Sequence, residues 1–121
     1  MRVLIVDDND AVRHALALSV ASFDDLQVVG KARDGEEALH LCEEVQPDII
    51  VMDMVMPRMD GLSATRHIHK RFPQIKVIAL TQFEGRTLSR RLLEGGAVAC
   101  LHKSASIDQI VDTIRAFAAY S

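Results

Sequence analysis

An α/β fold, with a mainly parallel sheet covered by helices on both faces, is what this sequence predicts. Two observations carry that prediction. Five apolar runs of strand length recur along the chain, and each is followed by a segment with helical spacing. Regular strand–helix alternation implies crossover connections, and crossovers make neighbouring strands parallel. The 121 residues give room for one domain with one core, and a hydrophobic content of 49% is enough to fill it.

The first run, RVLIV at 2–6, is continuously apolar, as a strand buried on both faces must be. Val12, Leu16 and Val20 then form the stripe of a first helix. LQVVGKA at 26–32 is more mixed and suits a sheet edge. Asp34-Gly-Glu-Glu37 has the form of a capping box. It opens a second helix with the stripe Ala38, Leu41, Cys42 and Val45, and Pro47 follows that helix. DIIVM at 48–52 is the third strand. Ala64, Ile68 and Phe72 mark a third helix that ends before Pro73. KVIAL at 76–80 is the fourth strand, and Leu88 and Leu92 make a weaker stripe that Gly95-Gly96 can end. AVACL at 97–101 is the fifth strand. Ser106-Ile-Asp-Gln109 repeats the capping-box pattern before the last stripe of Ile107, Ile110, Ile114 and Phe117. The continuous runs at 2–6, 48–52 and 76–80 are expected at the sheet centre. There is no repeat, low-complexity segment or internal linker.

The net charge of −3 gives no general argument for nucleic-acid binding by this chain. No apolar stretch reaches membrane-spanning length, and MRVLIVDD lacks the long apolar core of a signal peptide. The expectation is a cytoplasmic protein with no membrane contact. Cys42 and Cys100 fit no metal or redox spacing and read as small core residues in a reducing compartment.

The run IIVMDMVMP at 49–57 sets one carboxylate, Asp53, among apolar residues. Burying it unpaired would cost several kcal/mol. Either the acid opens onto solvent or a cation sits against it. In open α/β sheets, ligands bind beyond the carboxyl ends of the strands. Asp7 and Asp8 follow the first strand, Asp53 closes the third, Thr81 follows the fourth and Lys103 lies just past the fifth. Asp53 is therefore expected at the lip of the sheet rather than inside it. Three clustered carboxylates repel each other. A divalent cation relieves that repulsion, and an all-oxygen donor set suits Mg²⁺. Metal, ammonium and hydroxyl together meet the needs of phosphoryl transfer, in which an aspartate can act as nucleophile.

In these residues the chain resembles the receiver domain of two-component response regulators, over essentially its whole length. The resemblance rests on VDD at 6–8, Asp53 with the following MVMPRMDG, LT at 80–81, GG-A at 95–97 and HKS at 102–104. It implies a flavodoxin-like (βα)5 three-layer sandwich with strand order 2-1-3-4-5. By position it implies Asp53 as phosphoacceptor, and Asp8 and Asp53 as Mg²⁺ ligands with Asp7 acting through water. The Val55 backbone carbonyl would be a further ligand. Lys103 would pair with the phosphoryl group, and Thr81 would bond to it and move on activation. The donor would be a sensor histidine kinase or a phosphotransfer protein. Such a domain is not an enzyme in the ordinary sense: it is a switch that promotes its own phosphorylation and dephosphorylation.

The sequence departs from the family pattern in three places. Cys100 stands where Tyr or Phe is usual. Ser104 follows the lysine, as in many members of the NarL/FixJ-like subfamily of transcription factors. Gln82-Phe83 follows Thr81, where small and acidic residues are common. Activation is therefore expected to rely on Thr81 and the 82–87 loop, with Phe83 as the moving aromatic group. By the same resemblance Val55 and Phe83 would flank the approach of a hydrolytic water, and neither orients water through its side chain, so a long-lived phosphorylated state is expected. Receivers of this subfamily usually continue into a helix-turn-helix output domain. Residues 1–121 are thus expected to form a receiver domain, with DNA reached only through an output domain absent from this chain, and homodimerisation is a further expectation.

Taken singly, these residues read blandly. Asp7 and Asp8 suit a turn before the first helix, Thr81 an N-cap and Lys103 a solvated surface position. Their joint placement favours function. Met52, Met54, Met56 and Met59 read as apolar filler, and His14, His40, His67 and His69 as solvent-facing helix residues. Arg86, Arg90 and Arg91 read as a solvated helix face, and His102 as a minor neighbour of Lys103. The alternative function is a Mg²⁺-dependent phosphatase with an aspartate nucleophile, for which Asp8-Asn9-Asp10 mimics a D-x-D motif after the first strand. A flavin-binding module lacks support, because DDND at 7–10 would repel a flavin phosphate.

Overall fold

In the computed structural model, which describes residues 1–56, 59–82 and 86–118, strands and helices alternate strictly. The order is β1 (Arg2–Val6), α1 (Asp10–Ala21), β2 (Gln27–Ala32), α2 (Gly35–Val45), β3 (Ile49–Asp53), α3 (Gly61–Arg71), β4 (Lys76–Thr81), α4 (Arg86–Glu94), β5 (Ala97–His102) and α5 (Ile107–Ala118). The strands form one parallel sheet in the order β2-β1-β3-β4-β5. The continuously apolar runs are the three central strands, and the mixed run is the β2 edge.

Alternation along each strand sends side chains to two cores. Leu4, Val6, Ile50 and Met52 face Ala38 and Cys42 of α2, Ala64 and Ile68 of α3, and Leu92 of α4. Val3, Ile5, Ile49 and Val51 face Ala17 and Val20 of α1, and Ile110, Val111 and Ile114 of α5. This is the three-layer α/β/α arrangement, and it follows from strands apolar on both faces.

Local chemistry ends each element where the residues require. Asp34 accepts from the Glu37 N–H, and Ser106 and Gln109 cap each other reciprocally. Gln46 caps α2 in the left-handed region, just ahead of Pro47. Gly96 turns the chain out of α4 at φ +115°, and a Cβ there would lie 2.4 Å from the His69 ring. Asp7 and Asp8 precede α1, as expected, and the N-cap of the helix is Asn9, whose side chain accepts from the Val12 N–H. One expectation needs correcting. Val12, expected in the core stripe, is 41% exposed, because α1 packs through Ala17 and Val20 and leaves Val12 at the mouth of a groove against α5.

Candidate functional site

Sheet register brings the strand ends together. Val6 pairs with Met52, so Asp7 falls beside Asp53 on the neighbouring strand. Asp53 pairs with Leu80, which places Thr81 one residue beyond it. Thr81 pairs with His102, and Lys103 follows. The Lys103 N–H donates to the Thr81 carbonyl at 2.8 Å, fixing the start of the loop after β5. From there the ammonium spans the strand ends, with Nζ 2.9 Å from Asp53 Oδ2 and 3.5 Å from Asp7 Oδ2.

Asp53 is the last residue of β3, as expected, but it does not open onto solvent: it is only 1% exposed. Both answers to the problem of its burial hold in part. The strand ends there, and a cation sits against it. Its other oxygen, Oδ1, accepts the Val55 N–H at 3.3 Å. Asp7 is equally buried. Its N–H donates to the Ala32 carbonyl, and its Oδ1 accepts the Asn9 N–H at 2.9 Å. Asp7 Oδ2 lies within ion-pair range of Lys103 yet has no hydrogen bond among the described residues. Burial pushes the Asp7 carboxyl above its ordinary value, and the charge of Asp53 adds to this. For Lys103, burial works against the charge, but the hydrogen bond and charge of Asp53, with those of Asp7, outweigh it and raise the ammonium.

Asp8 completes the group from an exposed position. Carboxylate oxygens of Asp7, Asp8 and Asp53 all lie within 4.8 Å of one another. Among the described residues, two buried acids, one with an orphaned oxygen, one exposed acid and a single ammonium leave an excess of negative charge where their oxygens converge. That donor set fits a hard divalent cation held by oxygen. Thr81 is buried as the last residue of β4. Val55 lies beside Asp53 with its side chain exposed. The structure therefore brings together Asp7, Asp8, Asp53, Val55, Thr81 and Lys103.

Other expectations resolve more simply. Cys42 is buried in the core, where desolvation pushes its thiol up to about 11. Cys100 is half-buried, and its Sγ accepts from Ser89 Oγ on α4 at 3.6 Å. The His102 ring bonds to Ser104 Oγ and the Gln82 carbonyl, away from Lys103. His14, His40, His67 and His69 are exposed, as are Arg86, Arg90 and Arg91. Phe83, Pro57 and Arg58 lie outside the described residues. Two contributors escaped the sequence reading: Asn9, which holds Asp7 Oδ1, and Arg13, which holds the Asp7 carbonyl. The D-x-N spacing at 7–9, typical of a turn in which a carboxylate accepts an N–H two residues on, is the available signal for Asn9.

Comparison with known proteins agrees with this geometry. The family model for the response regulator receiver domain matches residues 3–115. The response regulator GacA of Pseudomonas viridiflava is 44% identical over 95% of this chain and 54% of its own length. The transcriptional regulatory protein LiaR of Bacillus subtilis is 40% identical over 96% of this chain and 55% of its own. The chain thus spans about half the length of these curated relatives. The solved signal receiver domain of the NarL regulator from Mycobacterium tuberculosis superimposes with a TM-score of 0.91 at 26% identity, covering 97% of this chain and 94% of that one. With the expected strand order and the strand-end acids in place, the chain belongs to the response regulator receiver domain family, the signal-receiving part of two-component systems.

Proposed function

We propose that Asp53 is the phosphoacceptor of this receiver, with Lys103 and Thr81 stabilising the transferred group. The observation that carries the reading is the Lys103 ammonium spanning the buried Asp53 and Asp7 carboxylates at 2.9 and 3.5 Å. An aspartate oxygen of Asp53 attacks phosphorus. The Oδ–P bond forms as the P–N bond of a phosphohistidine breaks, and the leaving imidazole takes the electron pair. Lys103 is placed to exchange part of its bond to Asp53 for the incoming phosphoryl oxygens. Thr81, adjacent at the end of β4, offers a hydroxyl to the same oxygens. Asp7, Asp8 and Asp53, with the Val55 carbonyl, would hold Mg²⁺, which when bound supplies the remaining charge neutralisation that a phosphoryl group needs.

The partners that suit this chemistry are a sensor histidine kinase or a phosphotransfer protein. Transcriptional output is supported by LiaR, which is similar over the receiver portion and is a transcriptional regulatory protein. It would require a DNA-binding domain beyond the residues matched here. Among the described residues no helix is long and apolar enough to cross a membrane, which accords with action in the cytoplasm. The Asp8-Asn9-Asp10 phosphatase reading loses support, because Asp8 is exposed and Asn9 and Asp10 belong to the cap and first turn of α1. Incubation with acetyl phosphate tests the proposal. The parent should be labelled only with Mg²⁺ present, and Asp53→Asn should not be labelled. Unchanged labelling of Asp53→Asn, together with its loss in Asp8→Asn, would return the nucleophile to Asp8.

A further inference from the structure

Arg13 lies on α1, outside the set of strand-end residues, yet its guanidinium reaches back into the loop that carries the acids. Nη1 donates to the Asp7 backbone carbonyl at 2.9 Å, and Nη2 pairs with Asp10. The Arg13 side chain is only 14% exposed, whereas that of Asp10 is 83% exposed. The carbonyl it grips belongs to the peptide joining Asp7 to Asp8. Asp7 is already tied at its N–H by Ala32 and at Oδ1 by Asn9. The Asp8 carboxylate, by contrast, takes part in no hydrogen bond or ion pair among the described residues. Its reach toward the other two acids therefore depends on where its backbone stands, and Arg13 fixes the peptide immediately before it.

We propose that Arg13 is a positioning residue: by clamping the Asp7–Asp8 peptide it aims the Asp8 carboxylate at the point where the Asp7 and Asp53 oxygens converge. The inference rests on the reading of Asp7, Asp8 and Asp53 as a Mg²⁺ site. Mg²⁺ demands near-ideal ligand geometry, so a loosened ligand weakens binding more than it would for a larger cation. Groups that orient ligands without touching the metal typically matter by tenfold or more.

Sign separates this role from a purely electrostatic one. Removing a nearby cation should by itself favour Mg²⁺, because it leaves the site more negative. Loss of the clamp should do the opposite. The experiment measures the Mg²⁺ dissociation constant by calorimetry at low temperature for the parent, Arg13→Gln, Arg13→Lys and Asp8→Asn. Far-ultraviolet circular dichroism confirms folding. Arg13→Gln should bind Mg²⁺ about tenfold more weakly than the parent. Arg13→Lys, which keeps one donor for the carbonyl, should recover part of the loss. Parental or tighter binding in Arg13→Gln overturns the proposal. If Arg13→Gln does not fold, Arg13→Lys decides alone: weaker binding than the parent supports the clamp, and equal binding overturns it. Equal affinity in the parent and Asp8→Asn would mean instead that the metal reading itself is wrong.

Discussion

Asp7 Oδ2 is buried, lies 3.5 Å from Lys103 Nζ, and faces the second buried carboxylate, Asp53. Both desolvation and like charge disfavour its ionised form. A metal-free protein therefore carries a local cost that a neutral isostere should relieve. Asp7→Asn retains an oxygen for the Asn9 N–H and removes one charge, so it should be more stable without Mg²⁺, by about 1–3 kcal/mol. Urea unfolding in the presence of a chelator measures this, and a less stable variant would mean that Lys103 compensates Asp7 fully. At this scale Asp7, Asp8, Asp53, Thr81 and Lys103 were legible, because each stands directly at a strand end and strand ends can be read from apolar runs. Arg13 was not. It sits within a helix, and its target is a backbone carbonyl, which leaves no mark on side-chain pattern. The burial of Asp53 was half legible: its place at the strand end was, but its depth depends on how neighbouring loops cover that end.

The elements hold the site through close approaches between them. The Gly61 N–H, at the start of α3, donates to the Met54 carbonyl, and a Cβ on Gly61 would lie 2.6 Å from Met54 Cα and 2.7 Å from the Asp53 carbonyl. Gly61→Ala must push α3 away from the end of β3. It should destabilise by about 1–3 kcal/mol and weaken acetyl phosphate labelling as well, since the displaced backbone carries Asp53. Labelling at the parental rate in the folded variant would show that the loop absorbs the shift. On the other side of the sheet, α5 is tied to the α1–β2 turn by Arg115, which donates to both oxygens of Asp25 at 2.8 and 2.9 Å and lies over the Phe23 ring. The Arg115 hydrogen bonds draw the Asp25 carboxyl down from 3.8 to about 2. Because the folded value is depressed, the pair's contribution is present above 3.8 and is lost as the pH falls through about 2. The pair is exposed, so the effect should be small and sensitive to salt. The gap in stability between the parent and Arg115→Gln should be widest near about pH 5 and should narrow as acid is added. A gap that does not change with pH would assign the whole effect to packing on Phe23. Helix caps were legible where a capping box was spelled out, at Asp34 and Ser106. The α1 stripe was misread at Val12, because packing against a sheet is set by the register of the whole helix and not by spacing alone.

At the scale of the molecule, one sheet with a packed core on each face supports a strand-end rim that, among the described residues, is overcharged and poorly neutralised. Binding that serves the native state alone raises stability by mass action, by about 1.4 kcal/mol when the ligand is at ten times its dissociation constant. Mg²⁺ should therefore raise the melting temperature of the parent, and do so less for Asp8→Ala; an equal shift in both would place the metal elsewhere. The fold class and strand order were legible because strand–helix alternation leaves few topologies open. The state the molecule adopts on activation was not, because Cys100 removes the familiar aromatic and its partner, Ser89 on α4, is a contact that only the packed helix defines. The central claim is that this rim directs phosphoryl transfer to Asp53. The most direct measurement is to treat the protein with acetyl phosphate and Mg²⁺, reduce the acyl phosphate with borohydride, and locate the modified residue by peptide mass spectrometry. The account predicts homoserine at position 53 alone, absent when Mg²⁺ is chelated. Homoserine at position 7 or 8, or undiminished reduction at 53 without the metal, would contradict it.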